Sequence, residues 1–155
     1  MAGKIDARLA ELGIELPEAP APVASYVPYT VSGKLVFLSG QINVWNGEFG
    51  PSGKVGVDVT IEQGQEAARL CALNLIAHLK NACGGDLDRV SQVIRLGGFV
   101  NCNPDFADQP KVIEGASALF IEVFGDAGRH ARTAVCAPSL PFLAPVEVDG
   151  IFEIS

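Results

Sequence analysis

Apolar side chains recur along this chain with two different periods, and the changes of period mark its elements. Ile5, Leu9, Leu12 and Leu16 follow one another at spacings of 4, 3 and 4, which predicts a short amphipathic helix over 4–16, interrupted at Gly13 and docked on the core as an appendage. Pro17, Pro20 and Pro22 then impose an extended connector, because proline lacks the amide hydrogen that a helix interior needs. Residues 26–31 are rich in β-branched and aromatic side chains, and Ser32-Gly33 separates them from a second such run over 34–38. The pattern predicts a hairpin that ends at Ser39-Gly40-Gln41. The glycine-rich stretch 46–53 reads as a loop between short strands.

At Thr60 the period becomes helical. Ala68, Cys71, Ala72, Leu75, Ile76 and Leu79 trace one apolar stripe to Ala82, so a long helix is predicted. Thr60 and Gln63 have the spacing of a capping box, and Gly84-Gly85 supplies the stop. Val93, Ile94, Leu96, Phe99 and Val100 predict a buried strand over 90–100. Asn103-Pro104 reads as the start of one helical turn, and Pro110 as the break before a second main helix over 111–124, closed by Gly125. Strands over 132–136 and 146–154 follow. The order predicts an α+β fold, a mixed six-stranded sheet with two helices on one face. Two helices shield only one side, so the other side is expected to be covered by self-association.

Composition sharpens that expectation. The chain has 155 residues, 48% hydrophobic and only 19% charged, which is one domain with few groups to solvate its outside. A net charge of −7 repels polyphosphate backbones and anionic membranes, making nucleic acid an improbable partner. Cys71, Cys83, Cys102 and Cys136 contain no C-x-x-C pair and there are two histidines, so no metal site is expected. No signal-peptide pattern opens the chain and no apolar run reaches membrane-spanning length, which reads as a cytoplasmic protein with free thiols.

No glycine-rich phosphate loop is present, and Ser39 lacks the G-x-S-x-G context of a nucleophile elbow. His78 and His130 read as surface residues. Arg132 opens a strand of small and apolar residues; alone, this favours a charge at the rim of the fold, the alternative being a carboxylate clamp through the planar guanidinium. On the last strand, a period of two puts Glu147, Asp149, Ile151 and Glu153 on one face and Val146, Val148, Gly150, Phe152 and Ile154 on the other. Those carboxylates, taken alone, are a solvated face.

Ser39-Gly40-Gln41-Ile42 after a hairpin, Tyr26 thirteen residues before that serine, and Arg132 nine residues before Pro141 resemble the RidA/YjgF family of enamine/imine deaminases. The resemblance covers 26–155 and leaves 1–25 as an N-terminal extension. It implies a chorismate-mutase-like protomer (bacillary type), a homotrimer with clefts between subunits, and no cofactor. It also implies hydrolysis of 2-aminoacrylate-type enamines and imines to 2-keto acids and ammonia, as in 2-iminobutanoate/2-iminopropanoate deaminases. Carried over, Arg132 binds the carboxylate of a small 2-imino or 2-keto acid, and Tyr26 and Ser39 line the cleft. By spacing from Leu140-Pro141, Asp149 takes the place of a water-positioning glutamate, with Glu147 on the same face as the fallback. Ala134 replaces the family's cysteine two residues after the arginine, and Pro110 falls where an asparagine is expected. A trimer that binds a small carboxylate without turnover, as a sensor or regulator, is the alternative; an endoribonuclease, an activity attached to some relatives, is disfavoured by the charge.

Overall fold

The computed structural model describes residues 2–155. Its elements run α1 (Lys4–Glu11), β1 (Tyr29–Ser32), β2 (Leu35–Ile42), β3 (Val44–Trp45), β4 (Glu48–Phe49), α2 (Ile61–Ala82), β5 (Val90–Asn101), α3 (Gln109–Phe124), β6 (Ala131–Ala137) and β7 (Val146–Ile154). Five strands form one sheet in the order β1-β2-β7-β5-β6, and β3 pairs with β4 as a separate hairpin. The main sheet is thus five-stranded rather than six, because the turn-rich stretch after β2 folds back on itself. Only β5 and β6 are parallel; the other pairs are antiparallel.

Both long helices lie on one face. Val36, Val93, Leu96, Val148 and Phe152 project from the sheet against Leu75, Ile76 and Leu79 of α2 and Ile113, Leu119 and Phe120 of α3, all fully buried. Each such side chain contributes roughly 1.5–3 kcal/mol by leaving water. The capping box forms as the spacing predicts: Gln63 N donates to Thr60 Oγ1 at 3.1 Å and Thr60 N to Gln63 Oε1 at 2.9 Å. β7 alternates buried and half-buried residues along its whole length, so its carboxylates do share the face away from the helices.

Several boundaries differ from the sequence pattern. The first helix stops at Glu11, because Gly13 enters the left-handed region at φ +67° and Ile14 N returns to Leu9 O. Its N-terminus is held by Asp88, whose carboxylate accepts from Lys4 N and Ile5 N, both at 2.8 Å. The first strand begins at Tyr29, not Tyr26. Residues 103–106 form a turn closed by Phe106 N donating to Asn103 O at 3.0 Å, and α3 begins at Gln109 with Pro110 inside its first turn, where a missing amide hydrogen costs nothing. Proline therefore starts this helix instead of breaking it. His78 is buried on α2, not at the surface, and its Nε2 has no protein partner.

β2 also runs on through Ser39-Gly40-Gln41, with an irregularity between Leu38 and Gln41. A side chain at Gly40 would place its Cβ 2.3 Å from Glu147 Oε1. The glycine lets the neighbouring strand's carboxylate lie directly on the backbone, a close approach that glycine in a strand often marks.

Candidate functional site

The irregular stretch of β2 forms the floor of a groove of about 830 Å³. Ser39, Gly40 and Gln41 line it from β2, Glu147 from β7, Tyr26 and the connector 18–23 from the N-terminal side, Phe49 from β4, and Phe142 from the loop before β7. Ser39 has a structural duty here: its Oγ donates to Val27 O at 2.7 Å and its backbone N to Pro28 O at 2.9 Å. These bonds hold the segment carrying Tyr26 beside β2. Glu18 N, donating to Asn46 Oδ1 at 2.7 Å, ties the connector to the β3–β4 hairpin.

Glu147 is half-buried, and its carboxyl is raised above the ordinary glutamate value by that burial first and by the charge of Asp149 second. Asp149 is raised too, by burial, with the nearby guanidinium of Arg95 opposing the shift. It does not line the groove. Asp149 Oδ1 stands 3.9 Å from Arg95 Nη1, and Arg95 Nη2 donates to Thr133 Oγ1 at 3.0 Å. The two carboxylates share a face of β7 but look into different surroundings, because one lies over β2 at Gly40 and the other over β5 at Gly97.

Arg132 is elsewhere. It sits on β6, an edge strand, on the helix side of the sheet. Its Nη1 donates to Glu114 Oε2 at 3.2 Å and Ser117 Oγ at 3.1 Å, and its Nη2 to Pro110 O at 3.3 Å. Ser117 Oγ lies 2.8 Å from His130 Nε2, and His130 Nδ1 lies 2.6 Å from Gly128 O. A carbonyl only accepts, so Nδ1 carries a hydrogen, and Nε2 lies at hydrogen-bond distance from the serine hydroxyl. The hydroxyl in turn presents its lone pairs to Arg132, which fixes the guanidinium from behind. Ala134, two residues on, packs against the core.

The strand register separates these groups. Glu147 pairs through Phe99 to Val135, whereas Arg132 pairs through Leu96 to Gly150. Two strand spacings and three residues of rise place Arg132 and Glu147 roughly 10 Å apart in each direction, and on opposite faces. One chain brings Tyr26, Ser39 and Glu147 together but leaves Arg132, Asp149 and Ala134 outside that groove.

The thiols offer no ready nucleophile in the core. Burial pushes Cys102 up to about 12 and Cys71 well above the usual thiol value, the latter helped by the charge of Glu147. Among the described residues no three His, Cys, Asp or Glu side chains cluster as metal ligands would, and no helix is long and apolar enough to cross a membrane.

Phe49, Phe142 and the connector 18–23 were not singled out by the sequence pattern, nor were Glu114 and Ser117 around Arg132; His130, expected at the surface, is instead half-buried and bonded to Ser117 and Gly128. The connector's prolines were visible, but their place against β2 depends on Ser39. The partners of Arg132 come from α3 and the turn before β6, which nothing local relates to each other.

An α+β protomer with a mixed sheet, two long helices on one face and a groove over an irregular second strand defines the chorismate-mutase-like class. The chain belongs to the YjgF family: the family model described as "YjgF/chorismate mutase-like, putative endoribonuclease" matches residues 6–151. Protein TCP17 of Trypanosoma cruzi is 45% identical over 154 residues, 99% of this chain and 96% of that protein. The crystal structure of Atu1372 from Agrobacterium tumefaciens, a protein of unknown function, is 49% identical with a TM-score of 0.91, covering 97% of this chain and 92% of that one. More distantly, Escherichia coli TdcF, solved with bound serine, is 26% identical with a TM-score of 0.65, over 91% and 99% of the two chains.

Proposed function

We propose that the protein hydrolyses 2-imino acids of the 2-aminoacrylate type to 2-keto acids and ammonia, in clefts formed between copies of a homotrimer. The observation that carries the reading is Glu147, a half-buried carboxyl of raised pKa, seated on Gly40 in one groove with Tyr26 and Ser39. The reaction adds water across C=N and expels ammonia, and it needs a proton donor, a positioned water and a hold on the substrate. Glu147 supplies the first two: as the acid it protonates the imine nitrogen, and as the resulting carboxylate it orients the attacking water. Of the two candidate carboxylates it is therefore assigned the water-positioning role, and Asp149, facing Arg95, is not.

Arg132 is the carboxylate clamp. It cannot reach the groove of its own chain, so Arg132 of a second copy serves the Glu147 of the first. Serine bound to TdcF, a small amino acid with a free carboxylate, supports a ligand of this size in the family. A stable amino acid as ligand also favours the second reading, a trimer that binds small carboxylates without turnover.

The test is keto-acid release from imines generated in situ by a pyridoxal-phosphate dehydratase acting on serine or threonine. Wild type is expected to accelerate release over the spontaneous rate, and Arg132→Ala and Glu147→Gln each to lose about 100-fold or more. Equal rates for wild type and Arg132→Ala would remove the clamp from the mechanism. No acceleration by wild type would leave the binding reading in its place.

A further inference from the structure

The groove holds more exposed apolar surface than a three-carbon imino acid can use. Phe142 and Phe49 are 60% and 57% exposed, with ring centroids 5.0 Å apart, at the mouth of the groove that Glu147 lines. Phe142 and Leu143 also occupy consecutive left-handed conformations, at φ +56° and +55°. Side chains other than glycine avoid that region, and they persist there only where their surroundings enforce it, commonly at functional sites. Here three backbone bonds enforce it: Leu143 N to Leu140 O at 3.0 Å, Ala144 N to Pro141 O at 3.1 Å, and Gly53 N to Leu143 O at 2.7 Å. The result is an exposed aromatic ring held at the groove.

We propose that Phe142, backed by Phe49, is a specificity-determining wall, and that the preferred substrates are 2-imino acids with large apolar side chains, branched aliphatic or aromatic, over those derived from serine or threonine. The proposal rests on the groove being the imino-acid site. With the carboxylate on Arg132 of a second copy and the imino carbon at Glu147, the substituent on that carbon extends along the groove toward the two rings and Tyr26. Ring-to-side-chain contact removes several carbons from water, which is worth roughly tenfold in affinity or more.

Calorimetric binding of pyruvate, 4-methyl-2-oxopentanoate and phenylpyruvate to the full chain separates this proposal from hydrolysis. The two larger keto acids are expected to bind about tenfold or more tightly than pyruvate. Phe142→Ala should bring that ratio to within about twofold of unity, and Phe142→Tyr should keep it. Equal affinities in the wild type, absence of binding, or an unchanged ratio in Phe142→Ala would overturn the proposal. So would a Phe142→Ala protein that loses all three ligands together with its oligomeric mass, since the ring would then be an interface residue. If the preference stands but no imine is hydrolysed, the hydrolysis reading falls and the wall remains.

Discussion

In the proposed mechanism, Glu147 would tie stability to chemistry at a single residue. Its carboxyl is raised in the folded chain by burial and by Asp149, so the fold binds its proton more tightly than the unfolded chain does. Stability from this group is present below the ordinary glutamate pKa and is lost as pH rises from that value through the raised one. Glu147→Gln removes the charge and keeps the shape. The variant should therefore melt at a higher temperature than wild type near pH 7.5, with the gap shrinking toward pH 4, while its turnover falls. Thermal melts of both proteins across that range would check it, and a gap independent of pH would show that the carboxyl is not held in a raised state. A site residue that weakens the fold when charged is a common compromise where function needs a strained group.

Among the elements, α1 depends on one carboxylate from a distant part of the chain. Asp88 is held below the ordinary aspartate value by hydrogen bonds from the backbone of Ile5 and then Lys4, which are among the unpaired donors at the start of that helix. Lys80 Nζ adds an ion pair to Asp6 at 2.9 Å, and Arg8 Nε donates to Glu122 O at 3.0 Å. A depressed carboxyl contributes stability above its unfolded pKa and loses it as pH falls through the folded one. Asp88→Ala should lower the amide protection factors of residues 4–11 at neutral pH, and acidification should lower them in the wild type once each rate is divided by the intrinsic exchange rate at that pH. Unchanged exchange in the variant would mean that Lys80 and Arg8 suffice.

The elements also show what a sequence can reveal. The span of α2 was legible because Thr60, Gln63 and the apolar stripe all speak locally, and β7 because its alternation is unbroken over nine residues. The continuation of β2 was not, since Gly40 looks like a terminator until Glu147 is placed on it. Pro110 misled for the opposite reason: the same residue that breaks a helix interior suits a first turn. Of the groove residues, Tyr26 and Ser39 were reached by order and spacing, whereas the spacing pointed to Asp149 and left Glu147 as the fallback. Which carboxylate enters the groove could not be found that way, because Glu147 and Asp149 differ only in the strands they lie across.

At the scale of the molecule, the 48% hydrophobic composition has a visible outlet. Phe37, Phe99 and Val135 are 37–40% exposed on the sheet face that the helices leave open; Glu147 shares the row of Phe99 and Val135, Arg95 shares the row of Phe37, and Asp149 lies in the row between. In the proposed trimer, Arg132 of one chain would meet the groove of another. Mixing then becomes informative. Arg132→Ala and Glu147→Gln proteins, each inactive alone, should recover activity when denatured and refolded together, with roughly a quarter of the clefts carrying both intact groups. No recovery, with mixed oligomers verified by mass, would show that the two residues do not act in a shared cleft.

The ion pair between Arg132 and Glu114 gives this arrangement one further property. If Arg132 is the clamp proposed above, an incoming carboxylate would not find a bare guanidinium; it would have to displace an acid already 3.2 Å away, with Ser117 holding the other side of the same nitrogen. Capture is an exchange of partners, and its free energy is the difference between two pairs instead of the strength of one. Glu114 is 59% exposed and returns to water cheaply. Chloride, or an acid that meets only one guanidinium nitrogen, gains little from the trade. On the proposed clamp reading, Glu114 would act as a threshold, favouring ligands that present a flat carboxylate in register over anions that meet a single nitrogen.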